Sequence, residues 1–268
     1  MPDGRVQPGR SEPLAHGWVG FLGGPMGAHT PLGRAQFWSP LRAIVAVAWV
    51  FLGFAALAKA NCAWGRPGES GGLELNWSGN RQYTSFCYND IVPLYAGRGL
   101  DQPGFVYDFS WTEGDLTRYM EYPVLAGIFQ NIMGFIARTT YFIAQRVLPE
   151  AGWYFYLTAL VLAVIWVITA RIVAELAGNR VWDTLLVAAS PLVIMHAFTN
   201  WDIPSIFFLV AALLAARNKR FWLAGALIGF GTAFKLWPLF VLGAYLVLAI
   251  RKRQWVPLAK MITAAVVS

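Results

Sequence analysis

Repeated apolar runs, separated by short basic clusters, constrain this chain more than any other feature. The first covers residues 43–60, and others cover 153–173, 182–198, 203–216, 221–234 and 237–250. A crossing helix needs about 20 predominantly apolar residues. The shorter runs therefore have to borrow flanking aromatics or thin the bilayer locally. Only 13% of residues are charged, about half the share usual in soluble domains, and the mean hydropathy is +0.49. The expected fold class is all-α, a polytopic transmembrane helical bundle.

The net charge of +7 does not point to nucleic acid. Its basic residues gather in clusters such as Arg217-Asn218-Lys219-Arg220 and Arg251-Lys252-Arg253, between apolar runs. Clusters so placed set membrane orientation, because Lys and Arg favour the cytoplasmic side. Residues 1–40 are rich in Gly, Pro, Arg and Ser and are expected to form a disordered cytoplasmic tail. The run that follows is too long, and its basic flank too extended, for a cleaved signal peptide. Arg5, Arg10, Arg34 and Arg42 precede it, which keeps the N-terminus inside. A multi-pass plasma-membrane domain is expected over 41–268, with residues 61–150 as an external loop.

That loop has more acidic than basic residues and holds both cysteines, Cys62 and Cys87. Two cysteines confined to an external loop predict one disulfide in an oxidising compartment. Residues 122–148 are apolar but interrupted by Gln130, Asn131, Arg138, Gln145 and Arg146. If they crossed once, both later basic clusters would lie outside. Interfacial helices at the outer surface keep those clusters inside, and a hairpin entering and leaving on the outer side would give the same parity. The interfacial arrangement is the one expected. The chain ends at Ala264-Ala265-Val266-Val267-Ser268, within an apolar run, so it is expected to be an N-terminal fragment whose C-terminal spans lie further on.

With this topology Asp90, Glu121, Asp202 and Lys235 fall on the outer side. Ionisable residues at membrane depth are rare and are functional candidates by default. Each also has a plainer role: helix capping for Asp202, snorkelling for Lys235, a loop ion pair with Arg98 for Asp90, and an ordinary interfacial acid for Glu121. As a set they offer carboxylates able to deprotonate a hydroxyl and a cation able to neutralise a departing phosphate. No HExxH, zinc spacing, Walker loop or GxSxG occurs, and a divalent metal is possible without being indicated.

Taken in order, Tyr88-Asn89-Asp90 with Pro93-Leu94-Tyr95, Glu121-Tyr122-Pro123, Asn200-Trp201-Asp202, and the glycine-spaced run from Gly225 through Lys235 to Pro238 resemble glycosyltransferase family 87. These are actinobacterial membrane enzymes of the GT-C type, similar to polyprenyl-phosphate-mannose-dependent mannosyltransferases, and the likeness covers residues 40–268. The resemblance implies a sugar, mannose or arabinose-like, moved from a polyprenyl-phosphate donor to an envelope glycolipid or polysaccharide on the outer face, usually with inversion. It places the general base on Asp90, a second acid on Glu121 or Asp202, and the donor phosphate on Lys235, with Arg98 or Arg118 assisting. Tyr88, Tyr95, Tyr122 and Trp201 become candidates for stacking on sugar or acceptor. A non-catalytic transporter or flippase, or a scaffold for lipid-linked sugars, would use the same charges without chemistry, although no internal repeat of the kind transporters carry is visible.

Overall fold

The computed structural model describes residues 39–68 and 72–268; the expected tail over 1–40 lies almost wholly outside them. The chain is mostly helical. Helix α1, Pro40–Ala63, starts with Ser39 accepting a hydrogen bond from the Arg42 N–H and with proline in its first turn. Ser39 thus satisfies one of the donors a helix start leaves open. The segment after α1 then forms a hairpin of β1 (Gly65–Pro67) and β2 (Leu73–Leu75), the short helix α2 (Ile91–Gly97), and a second hairpin of β3 (Ser110–Glu113) and β4 (Leu116–Tyr119). Two small antiparallel hairpins are thus added to the expected helices. They rest on turn residues rather than on hydrophobic periodicity.

Helix α3 (Val124–Thr140) leads to α4 (Glu150–Ala177), which packs antiparallel to α1. The carbonyl of Ala63 lies 2.4 Å from where a Cβ on Gly152 would sit, so only glycine lets the α4 start close on the α1 end. Phe155, Ala159, Leu162 and Ala163 of α4 join Leu52, Ala55 and Ala63 of α1 in the main core.

The run at 182–198 is not one helix. A 3-10 turn over Gly178–Thr184 leads to α5 (Leu185–Ala188) and α6 (Pro191–His196). Pro191 has no N–H to give and disfavours helical backbone at the residue before it. Ser190 is accordingly extended, and its hydroxyl caps the new helix at Leu192 N. The broken segment still follows α1 along its length: Val181, Leu185 and Ala188 pack on Ile44 and Ala48, while Met195 reaches Lys59.

Helix α7 (Ile203–Arg217) returns beside α4. Arg217 donates to the Glu175 and Leu176 carbonyls at the α4 end, at 2.8 and 3.2 Å. After α8 (Phe221–Phe234) come a 3-10 turn over Trp237–Phe240, α9 (Val241–Lys252) and α10 (Trp255–Val267). Gly225 and Gly229 bring α8 against α10. A Cβ on Gly225 would meet the Met261 carbonyl, and one on Gly229 would stand 2.7 Å from that of Ala265, which also shows that the two helices run parallel.

Both ends of α3 meet the same end of this helical body. Next to its start, Tyr122 lies edge-on to Trp201, and Phe129 meets Phe234. At its far end Thr140 accepts a hydrogen bond from the Trp153 indole at the α4 start, 2.9 Å. Two helical stretches, Pro40–Ala63 and Glu150–Ala188, are long and apolar enough to cross a membrane; Ile203–Arg217, Phe221–Phe234 and Trp255–Val267 are apolar but shorter.

Candidate functional site

The end of the body that carries Ala63 and the α4 start also carries the polar cluster. Asp90 sits at the α2 start, yet its carboxylate caps nothing. The cap is Asn89, fully buried, whose Oδ1 accepts from Val92 N at 2.9 Å and whose Nδ2 donates to the Cys87 carbonyl at 3.0 Å. Asp90 Oδ1 accepts from the Tyr88 hydroxyl at 2.8 Å. That bond, together with the Asp90 charge, holds the Tyr88 phenol above its ordinary pKa, so it stays a neutral donor. The Tyr88 ring stacks on Tyr83 at 5.6 Å. Asp90 N donates to the Thr199 carbonyl at 2.7 Å, which ties the acid to the stretch just before Asp202.

Asp202 begins α7 and likewise makes no cap with its side chain. Asn200 Oδ1 accepts from its N–H instead, at 3.1 Å. The Asp202 carboxylate meets Lys235 Nζ at 2.5 Å, with both side chains partly exposed. Lys235 reaches that position because α8 stops at it: the residue is extended, at φ −162° and ψ 137°, and Pro238 follows in the next turn.

Glu121 pairs with Arg98 rather than standing alone. The guanidinium donates from Nε at 2.8 Å and from Nη2 at 2.6 Å and lies 3.9 Å over the Trp111 ring. The plainer pairing of Asp90 with Arg98 is therefore not the one observed. Arg118 forms a pair with Glu113 at 3.2 Å, directly across the second hairpin from Trp111.

Tyr122 stands between these charges. Burial, and then the negative charge of Asp90 and Glu121, push its phenol far above the usual range, with Arg98 opposing and Asp202 adding to the rise. The Tyr107 hydroxyl fixes the turn beside it through the carbonyls of Tyr122 and Pro123, each at 2.9 Å. Two other aromatic candidates do not face the cluster as sugar platforms. Tyr95 is 2% exposed, stacked on Tyr154 at 4.5 Å and bonded to Glu150 at 2.8 Å. Trp201 is 3% exposed. They support the site from beneath because α2 and the α7 start are packed through them.

A cavity of about 410 Å³ opens beside Asp202. Trp166, Leu186, Val187, Leu192, Val193 and Ile206 give it apolar walls, while His196, Thr199 and Asn200 join Asp202 among the polar groups lining it. The break at Pro191 makes this space, since the residues on both sides of it form the wall. Cys62 and Cys87 are joined, with Cα atoms 6.0 Å apart, and fix the start of the Asp90 stretch to the α1 end. Among the described residues no three His, Cys, Asp or Glu side chains gather to hold a metal ion.

Lys59 was not singled out by the sequence. It is 2% exposed and donates to the Tyr88 carbonyl at 2.7 Å and the Met195 carbonyl at 3.1 Å. A lysine at the end of an apolar run normally reads as snorkelling. Its position three residues before Cys62 is the only sequence signal of a different role.

A family model described as glycosyltransferase family 87 matches residues 122–268. The match takes in Tyr122, Trp201, Asp202 and Lys235, while Asp90, Arg98 and Glu121 precede it. No curated protein and no solved structure matches the chain.

Proposed function

The chain belongs to glycosyltransferase family 87, and from that premise we propose that it moves a mannose or arabinose-like sugar from a polyprenyl-phosphate donor to an envelope glycolipid or polysaccharide. The observation that carries this reading is the Lys235–Asp202 pair beside an apolar cavity, at the end of the body where Asp90 is tied to Thr199. An isoprenoid chain suits the apolar walls, and its phosphate would emerge where Lys235 stands. Lysine has three N–H bonds to give, and Asp202 takes one of them. Asp202 thus holds the ammonium in place while leaving donors for phosphate oxygens.

In this mechanism the acceptor hydroxyl oxygen attacks the anomeric carbon as its proton passes to the Asp90 carboxylate. The bond from that carbon to the phosphate oxygen breaks, and both its electrons leave with polyprenyl phosphate. Lys235 stabilises the charge that grows there. Attack from the face opposite the leaving phosphate gives inversion. Tyr88 orients the base, and the Arg98–Glu121 pair closes the far side of the site.

The same reading sets the chain in the plasma membrane as a multi-pass protein, with its N-terminus inside and residues 61–150 outside, where α3 lies along the surface. Both α3 ends touching one end of the body supports this. So does Arg217 bonding at the opposite end, beside the Lys219 and Arg220 cluster. The shorter helices would cross with local thinning of the bilayer.

Kinetics in membranes supplied with labelled polyprenyl-phosphate mannose or arabinose test the proposal. Lys235→Met should raise KM for the donor about 10- to 100-fold, the worth of one charge-assisted hydrogen bond. A donor KM unchanged by that substitution would remove Lys235 from the phosphate site.

A further inference from the structure

We propose that Lys59 is a positioning residue: its buried ammonium locks the segment carrying Asp90 to the wall of the cavity, so that the base is held in register with whatever fills that cavity. The inference rests on Asp90 being the base. Among the described residues Lys59 forms no ion pair; it gives two of its N–H bonds to main-chain carbonyls from distant parts of the chain, at Tyr88 and Met195. The second belongs to the last turn of α6, where a helix leaves carbonyls without internal partners.

An apolar side chain at this place on α1 would satisfy both the core and a lipid environment at lower cost, since a charge there is expensive to bury. What the lysine adds is geometric. Residues 87–90 are fixed at three successive points: the disulfide from Cys62 to Cys87, the ammonium on the Tyr88 carbonyl, and the Asp90 N–H on the Thr199 carbonyl. Lys59 and Cys62 lie three apart on one face of α1, so they act on adjacent residues, Tyr88 and Cys87. On the other side of the ammonium, Met195 is followed by His196 and Thr199, both of which line the cavity. One side chain therefore joins the stretch that carries the acid to the segment that shapes the cavity.

Amide exchange and transfer kinetics on the full chain, in native membranes or nanodiscs, test this. In Lys59→Met the Asp90 amide should exchange faster while those of the β3–β4 hairpin do not change. The kcat should fall about 10- to 100-fold, the effect of a roughly 1 Å misplacement, with donor KM unchanged. Lys59→Arg, which keeps the donors, should recover part of the loss. In an Asp90→Asn background Lys59→Met should cost almost nothing more, because a residue acting through another loses its effect once that other is gone. Unchanged Asp90 exchange overturns the proposal, as does a further full loss in the Asp90→Asn background or a raised donor KM with kcat intact. If the unsubstituted chain transfers no sugar, it is the glycosyltransferase reading that fails. The Asp90 amide then decides the lock alone: faster exchange in Lys59→Met supports it and unchanged exchange refutes it.

Discussion

Asn89 and Asp90 divide two tasks that one residue often combines. The amide caps α2 and is wholly enclosed, so the carboxylate next to it owes nothing to the helix. Asn89→Ala should therefore lower stability by about 1–3 kcal/mol, the cost of leaving buried partners unpaired, seen as a drop in Tm of the detergent-solubilised protein. Asp90→Asn should leave Tm nearly unchanged. Asp90, Asp202 and Lys235 stood out in the sequence as site candidates because charge among apolar runs demands an explanation. Their partners were not: Glu121 with Arg98 and Lys59 with two carbonyls depend on chain crossings that no local pattern encodes. The burial of Tyr95 was hidden for the same reason, since an aromatic in a loop gives no sign that α4 will cover it.

Among the elements, the apolar runs and the breakers between them marked the long helices well. Residues 221–234 were expected as one helix, and α8 has those bounds. The run at 182–198 misled because it is mostly apolar, while the proline at 191 and the 3-10 turn before residue 185 divide it into separate pieces. That break matters more than the helix would have, because it opens the cavity. The glycines of α8 do the opposite and close a gap. Gly225→Leu would drive a side chain into the Met261 backbone, and overpacking of this kind costs about 1–3 kcal/mol. Thermal melting should show that loss, and α10 should become more protease-sensitive than α1. Equal sensitivity of the two helices would argue against close α8–α10 packing.

At the scale of the whole molecule, Asp90, Asp202 and Lys235 are brought to one end and the loop after Arg217 to the other. Cysteine placed at Lys219 should react with an impermeant maleimide only in permeabilised cells, and cysteine at Asp115 should react in intact ones. Labelling of position 219 from outside would invert the proposed orientation. The central claim is that Asp90 takes the acceptor proton during sugar transfer, and the most direct measurement is transfer of labelled sugar from polyprenyl phosphate by membranes carrying Asp90→Asn. A fall of about 100-fold or more, at equal protein level and with the Cys62–Cys87 bond intact, is the predicted result; transfer equal to that of the unsubstituted chain would contradict it.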